Sequence, residues 1–364
     1  MTLALRLAEQ GLYTTQPNPR VGCIIVKNQQ IIGQGAHLKV GEPHAEVFAL
    51  REAGLAAKDA DAYVTLEPCN HHGRTPPCVD ALISAGVKRV VVAMQDPNPL
   101  VAGSGLKRLQ AQGIQVETGL MEAEALALNP GFISRMTRSR PYVRSKIAAS
   151  LDGRTALNNG KSLWITGEPA RLDVQHWRAQ SCAIITGIGT VLADNPGMNV
   201  RLDNLTHIDR QPLRVIVDSR LQTPADCKML DVIKLPASPV LIAYADDVGN
   251  HAAALSATGA ELLHIADANG RVDLSALLLN LAQRGINEVL LEAGQGLNGA
   301  FLNANLIDEF IFYYAPKLMG ADAKAMFVIP ELTEMQQATN LLILDVRQVG
   351  QDIRLRAKTF PKSL

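Results

Sequence analysis

Thr65-Leu-Glu-Pro-Cys69-Asn-His71-His-Gly-Arg74-Thr-Pro-Pro-Cys78, read with Pro43-His44-Ala45-Glu46 upstream, is the stretch on which the reading of this chain turns. One imidazole and two thiols hold zinc while leaving a fourth position for water, the open arrangement of a catalytic rather than a structural site. A metal so held brings the pKa of water toward neutrality, and Glu46, two residues from the imidazole, is then the proton shuttle. Such a shuttle contributes roughly a hundred- to ten-thousand-fold in rate. His44 follows Pro43 and Cys78 follows Pro76-Pro77, so both are expected at helix starts, where proline is tolerated. A helix N-terminus lowers a thiol's pKa, which favours the thiolate that zinc requires.

A His-Ala-Glu tripeptide alone carries little weight. Followed by Pro68-Cys69 and Cys78, it matches the zinc-deaminase signature, except that the usual Cys-x-x-Cys is stretched to eight intervening residues. A structural zinc is the competing reading, and it would require a fourth ligand in place of water.

Outward from this motif, residues 21–26 and 31–37 predict a hairpin about the polar turn 27–30. A helix over about 44–57, a strand at 62–66, a helix at 78–85, a strand at 89–93, a helix at 105–112 and a strand at 114–117 follow. Strands separated by single helices predict a layered sheet with helices on its faces. A helical stretch over about 122–138 and the polar run Thr137-Arg-Ser-Arg-Pro141 mark a junction, which divides the chain into domains 1–140 and 141–364.

The second half contains strand candidates at 142–149, 182–186, 213–217, 239–243, 288–292 and 309–314. Their nearly continuous apolar runs suit central strands covered on both faces. The strand at 288–292 runs into Gly294-Gln-Gly-Leu-Asn-Gly299, a G-x-G-x-x-G pattern whose backbone amides can approach a phosphate. No acidic ribose-binding residue is evident at the usual distance, which disfavours a standard NAD Rossmann domain.

The length of 364 residues suits two domains, and the hydrophobic fraction of 47% suits a soluble α/β protein. Lys plus Arg and Asp plus Glu are equal at 35 each, so no charge excess argues for nucleic acid, and a small-molecule substrate is expected. Five cysteines form no compact disulfide framework, which points to cytoplasmic thiols or metal ligands. The N-terminus lacks a cationic segment followed by a long apolar run, and no stretch is long enough to cross a bilayer, so neither export nor a membrane is expected.

The long inter-cysteine loop resembles that of the bifunctional riboflavin-biosynthesis deaminase/reductase family. Pro17-Asn-Pro-Arg-Val-Gly-Cys23 and Gln95-Asp-Pro-Asn-Pro99 fit the same family. So do Lys146-Ile-Ala-Ala-Ser-Leu-Asp-Gly-Arg154, Trp164-Ile-Thr-Gly167, Thr186-Gly-Ile-Gly-Thr-Val-Leu-Ala-Asp194 and Ala315-Pro-Lys-Leu-Met-Gly320, so the resemblance spans nearly the whole chain. It implies an α/β chain: a cytidine-deaminase-like three-layer domain followed by a dihydrofolate-reductase-like α/β domain. The implied reactions are zinc-dependent hydrolytic removal of an amino group from a diaminopyrimidinone carrying ribose 5-phosphate, then NADPH-dependent conversion of the ribosyl group to ribityl.

By motif, the resemblance makes His44, Cys69 and Cys78 the zinc ligands, Glu46 the acid/base, and Asn18, His71 and Arg74 substrate contacts. Ala148, Ser162, Trp164, Thr190, Asp194, Ser219 and the turn Gly294, Gln295, Gly296, Leu297, Asn298, Gly299, Ala300 would line the NADPH site. Arg178, Arg201 and Glu292 would face the substrate, and the two arginines suit its phosphate. A homodimer through the reductase half is also implied. Taken singly these residues have ordinary readings: Asn18 between prolines makes a turn, Trp164 a core residue, Thr190 or Asp194 a helix cap. Asn195 stands where a second aspartate is common, and family members usually carry a few more residues before the first helix, so either the start is trimmed or that tail is dispensable. The alternative, a tRNA-adenosine or cytidine deaminase with an unrelated C-terminal domain, explains the zinc residues but neither the stretched loop nor the second α/β domain.

Overall fold

A computed structural model of the chain describes residues 1–71, 76–99, 101–162, 164–202, 210–231 and 238–360. They divide into two compact units, Met1–Arg140 and Pro141–Leu364.

In the first unit, β1 (Gly22–Lys27) and β2 (Gln30–Ala36) form the expected antiparallel hairpin. Asn28 and Gln29 both take positive φ, the backbone that a two-residue hairpin turn requires. With β3 (Asp61–Val64), β4 (Arg89–Val92) and β5 (Gln115–Thr118) they make a five-stranded sheet in the order β2-β1-β3-β4-β5, its last three strands parallel. The helices are α1 (Thr2–Glu9), α2 (Ala45–Ala53), α3 (Cys78–Ala85), α4 (Ser104–Ala111), α5 (Glu122–Leu128) and α6 (Pro130–Arg138).

Cys23, Ile25, Val64, Val90 and Val92 pack with Ala45 and Ala49 of α2, Val79 and Leu82 of α3 and Leu109 of α4. Leu5, Ala93, Ala125 and Phe132 form a separate cluster with α1, α5 and α6, which gives the three-layer cytidine-deaminase-like arrangement. Helix α2 sits so close to β2 that a Cβ on Gly35 would lie 2.2 Å from the Ala45 carbonyl oxygen, and this contact fixes where the helix bearing Glu46 begins. The one helix expected over 122–138 is two. Asn129 leaves helical backbone and Pro130 has no N–H to continue the ladder, so α5 stops at Leu128.

The second unit is built on β6 (Tyr142–Ser150), β7 (Arg154–Ala156), β8 (Ala183–Gly187), β9 (Leu213–Val217), β10 (Val240–Tyr244) and β11 (Glu261–His264). It continues with β12 (Glu288–Leu291), β13 (Glu309–Ala315), β14 (Lys324–Ala325), β15 (Leu341–Val349) and β16 (Asp352–Thr359). Its helices are α7 (Glu168–Gln180), α8 (Ile188–Asp194), α9 (Ala252–Ala257), α10 (Leu274–Gln283) and α11 (Gln295–Asn303).

Nine strands form one sheet in the order β11-β10-β9-β8-β12-β6-β13-β16-β15, parallel through β13 and antiparallel beyond it. Strands β7 and β14 pair separately. Ile184, Ile216 and Ile242 enter one core while Ile185, Val215 and Leu241 enter the other, so the central strands are buried on both faces, as their continuous apolar runs predict. The sequence reading has no counterpart to the β15–β16 hairpin, because Leu341-Leu-Ile-Leu344 shows no alternation of polar and apolar residues. Among the described residues, no helix is long and apolar enough to cross a membrane.

Candidate active sites

In the first unit, His44 is the N-cap of α2 and Cys78 is the first residue of α3, as the neighbouring prolines predict. Cys69 lies beyond β3 on the turn that follows Pro68. The three ligand atoms lie within 4.8 Å of one another, with His44 Nδ1 3.2 Å from Cys78 Sγ and 3.6 Å from Cys69 Sγ. The Cys78 backbone N–H donates to Cys69 Sγ at 3.3 Å. The Cys69 thiol is pulled down to about 4, chiefly by the hydrogen bond from the Cys78 thiol and then by His44, and Cys78 is pushed up correspondingly.

Glu46 occupies the first turn of α2 and is 3% exposed, with Oε2 buried and without a hydrogen-bond partner. Burial raises its carboxyl to about 7. Among the described residues no fourth ligand joins these three donors, one borderline and two soft, and with Glu46 standing outside the donor group the set fits zinc with an open fourth position.

A cavity of about 510 Å³ opens on this cluster, and Asn18, His44, Glu46, Cys69 and His71 all line it. Arg74 lies outside the described residues. Sequence reading missed His37, which also lines the cavity. Its Nδ1 donates to the Pro43 carbonyl at 3.2 Å, because a carbonyl only accepts, so Nε2 accepts from Asn18 Nδ2 at 3.1 Å. Burial pushes the His37 pKa down, which favours this neutral form. Glu67 was missed as well. Its carboxylate accepts backbone N–H groups from Asp96 at 3.1 Å, Gly103 at 2.9 Å and Gly105 at 2.9 Å, tying the wall that bears Asp96 and Asn98 to the turn that bears Cys69.

In the second unit, a cavity of about 660 Å³ is lined by Ala148, Ser162, Trp164, Thr190, Asp194, Glu292, Gly294, Gln295, Gly296, Leu297 and Ala300. A Cβ on Gly189 or Gly296 would meet no atom within 4 Å, so the backbone of both turns is open to a ligand, as a dinucleotide requires. Ser162 Oγ donates to Asp194 Oδ1 at 3.3 Å, and the Arg171 guanidinium lies 4.5 Å from the Trp164 ring centroid.

Other expected contacts fall elsewhere. Asn298 is buried, donating to the Ala293 carbonyl at 2.8 Å and accepting from Ser145 Oγ at 3.1 Å. Gly299 packs against β14's downstream segment, where a Cβ would lie 1.9 Å from the Val328 oxygen. Ser219 Oγ accepts from Val272 N at 3.1 Å.

Arg178 stands behind the cavity wall. Its Nε and Nη2 donate to the two Glu292 oxygens at 2.6 and 3.0 Å, and Nη1 donates to the Asn199 carbonyl at 3.1 Å. Lys146, another residue that sequence reading did not single out within its quoted stretch, lines the cavity with Nζ 3.7 Å from Glu292 Oε2. Burial pushes the Glu292 carboxyl up, but Arg178 and Lys146 outweigh it and hold the pKa below the usual range. Arg201 is exposed, with Nη1 3.4 Å from Asn199 Oδ1 and its backbone N–H on Gln175 Oε1 at 2.9 Å.

Residues 1–94 match the family described as the cytidine and deoxycytidylate deaminase zinc-binding region, and residues 141–355 match the RibD C-terminal domain. The riboflavin biosynthesis protein RibD of Escherichia coli is 48% identical over 365 residues, spanning 98% of this chain and 97% of that protein. The solved structure of Acinetobacter baumannii RibD superposes with a TM-score of 0.91 at 50% identity, covering 99% of this chain and 98% of that one. A diaminohydroxyphosphoribosylaminopyrimidine deaminase/5-amino-6-(5-phosphoribosylamino)uracil reductase of Thermotoga maritima gives 0.86 at 32% identity, covering 99% and 97%. With residues 141–355 so matched, the second half is no unrelated appendage, and a tRNA-adenosine or cytidine deaminase with an unrelated C-terminal domain is disfavoured. Its zinc-type donor cluster, its open glycine turns and its relatives place this chain in the RibD family of riboflavin biosynthesis, bifunctional enzymes that join a zinc-dependent deaminase to an NADPH-dependent reductase.

Proposed function

We propose that residues 1–140 hydrolyse the amino group from 2,5-diamino-6-(5-phosphoribosylamino)pyrimidin-4-one and that residues 141–364 reduce the ribosyl group of the product, 5-amino-6-(5-phosphoribosylamino)uracil, with NADPH. The observation that carries the first half is the buried Glu46 carboxylate, which lines one cavity with His44 and Cys69 and stands outside the donor group that those two residues form with Cys78. Zinc held by those three residues would supply Lewis-acid activation of a water. Glu46 carries the first proton of the water to the ring nitrogen and then the second, from the added hydroxyl, to the departing amine, so that N=C–NH₂ and water become HN–C=O and NH₃. Asn18, oriented by His37, and His71 position the pyrimidine. Arg74 is proposed alongside them from its place in the motif alone.

In the second half, bound NADPH would supply a hydride for the sugar carbon, and opening of the ribosyl ring would take up one proton at the ring oxygen. The open turns at Gly189 and Gly296, with Ala148, Ser162, Trp164, Thr190, Asp194, Gln295, Leu297 and Ala300, would hold the cofactor. Ser219, Asn298 and Gly299 support these walls from behind. Glu292, backed by Arg178 and flanked by Lys146, faces the sugar, and Arg201 is the guanidinium for its phosphate.

The homodimer reading is supported by β15 at the sheet edge, where Ile343 is 58% and Val346 57% exposed, since long apolar edge strands are normally covered. Sedimentation should give a dimer, and Ile343→Glu with Val346→Glu should give a monomer; a wild-type monomer removes this reading. A cytoplasmic setting is proposed with it, consistent with free thiols at all five cysteines. The function itself is tested by coupled assays on the purified chain. Metal analysis should find zinc, ammonia should appear from the diaminopyrimidine phosphate, and NADPH should be oxidised far faster than NADH; equal turnover with both nucleotides overturns the cofactor assignment.

A further inference from the structure

Four acidic residues, Glu42, Glu46, Glu67 and Asp96, line the deaminase cavity. A substrate carrying a phosphate monoester is repelled by such walls unless a cation meets its anionic end. Among the described lining residues, the side chain that is a guanidinium or ammonium is Arg135, on α6. Phe132, Arg135 and Met136 line the cavity together, at the i, i+3, i+4 spacing that puts residues on one helical face. Phe132 is buried and Arg135 half-buried, so this helical face brings one cationic side chain to the cavity beside two apolar ones.

The placement of α6 is fixed by the segment that bears Asn18. Asn129, the N-cap of α6, accepts from the Arg20 backbone N–H at 2.8 Å and donates through Nδ2 to the Arg20 carbonyl at 2.9 Å. Arg20 Nη1 in turn donates to the Leu128 carbonyl. Pro17, Asn18 and Pro19 line the cavity immediately before Arg20, so one staple holds both an amide that meets the ring and a helix that carries a cation.

Resting on the deaminase reading above, we propose that Arg135 binds the 5-phosphate of the pyrimidine substrate and so gives this cavity its preference for phosphorylated over unphosphorylated ribosylaminopyrimidines. A guanidinium holds phosphate through two parallel N–H···O bonds, which a lysine meets only as a point charge.

The test is ammonia release by the full-length enzyme with the phosphorylated diaminopyrimidine and with the same compound lacking phosphate. Arg135→Gln should raise KM for the phosphorylated compound by about 10- to 100-fold, the loss expected for a charge-assisted bond, and leave kcat/KM for the unphosphorylated compound within about threefold. Arg135→Lys should recover part of the KM, and inhibition by ribose 5-phosphate should weaken in step with the Gln variant. Zinc content and melting temperature report whether the variant is intact. Equal losses on both compounds in an intact protein, or no change in KM, overturn the assignment while wild-type activity leaves the deaminase reading standing. A wild-type enzyme that releases no ammonia from the phosphorylated compound removes the deaminase reading and this assignment together.

Discussion

In the N-terminal unit the chemistry sits in side chains: an imidazole, a thiol and a carboxylate at helix starts, and a second thiol, Cys69, on the segment after β3. In the C-terminal unit the cavity is bordered by two glycine-bearing segments, Gly187-Ile-Gly-Thr190 and Gly294-Gln-Gly-Leu297, with the ion cluster of Glu292, Arg178 and Lys146 at one wall. The first design depends on the identity of a few reactive atoms, which spacing in the sequence exposes. The second depends on where a chain leaves room for a cofactor that brings its own reactivity, and many sequences leave such room.

The largest effect expected from this contrast is at Glu46. Glu46→Gln should lower ammonia release by roughly a hundred- to ten-thousand-fold while zinc content, measured by metal analysis, and NADPH oxidation on supplied aminouracil phosphate stay unchanged. If the zinc is lost with the activity, Glu46 belongs to the metal's holding rather than to proton transfer.

A second large effect is expected at the buried ion cluster. Glu292→Leu strands the Arg178 guanidinium and Lys146, and breaking such a pair costs about 3–5 kcal/mol, read as a drop in the melting temperature with loss of NADPH oxidation. Arg178→Leu combined with Glu292→Leu should cost less than the sum of the two. Strict additivity would mean that the pair does not act as a unit.

These two predictions also mark what was legible. His44, Glu46, Cys69 and Cys78 could be assigned from residue type and spacing because the reaction restricts both. Pro76-Pro77 even announced the helix that starts at Cys78. His37 could not be found that way: an isolated histidine after a strand acquires meaning only when folding brings Asn18 and Pro43 to its two nitrogens. The same holds for Glu67, whose three amide partners lie 29 to 38 residues away. Of the G-x-G-x-x-G run, periodicity predicts the helix start but not that Gly296 opens to the cavity while Gly299 meets Val328. The continuous apolar strands of the central sheet were legible, whereas Leu341-Leu-Ile-Leu344 hid an edge hairpin, because nothing in its pattern distinguishes a strand exposed on both faces from a buried one.

Those two glycines sharpen the contrast further. Gly299→Ala should cost about 1–3 kcal/mol in thermal or denaturant unfolding, since its Cβ would lie 1.9 Å from the Val328 oxygen. Gly296→Ala should leave stability nearly untouched and instead raise KM for NADPH. The reverse pattern would place the cofactor away from this turn.

The smallest effect concerns Asp152, whose carboxyl is held down to about 2 by the Ser150 hydroxyl and by the Gly320 and Met319 backbone N–H groups. A depressed pKa contributes stability that is present above the ordinary value of 3.8 and is lost as pH falls toward 2. Asp152→Asn should therefore make the fall in melting temperature between about pH 4 and pH 2 slightly shallower, a small effect because the group is exposed and screened by solvent.

The central claim, two independent sites acting in sequence, is tested most directly by giving the enzyme the diaminopyrimidine phosphate and following ammonia and NADPH separately. Wild type should release ammonia and then oxidise NADPH, and Glu46→Gln should do neither until the aminouracil phosphate is supplied, when its NADPH oxidation should equal wild type. NADPH oxidation by the wild type without ammonia release, or a folded Glu46→Gln protein inactive even on the aminouracil phosphate, would contradict the account.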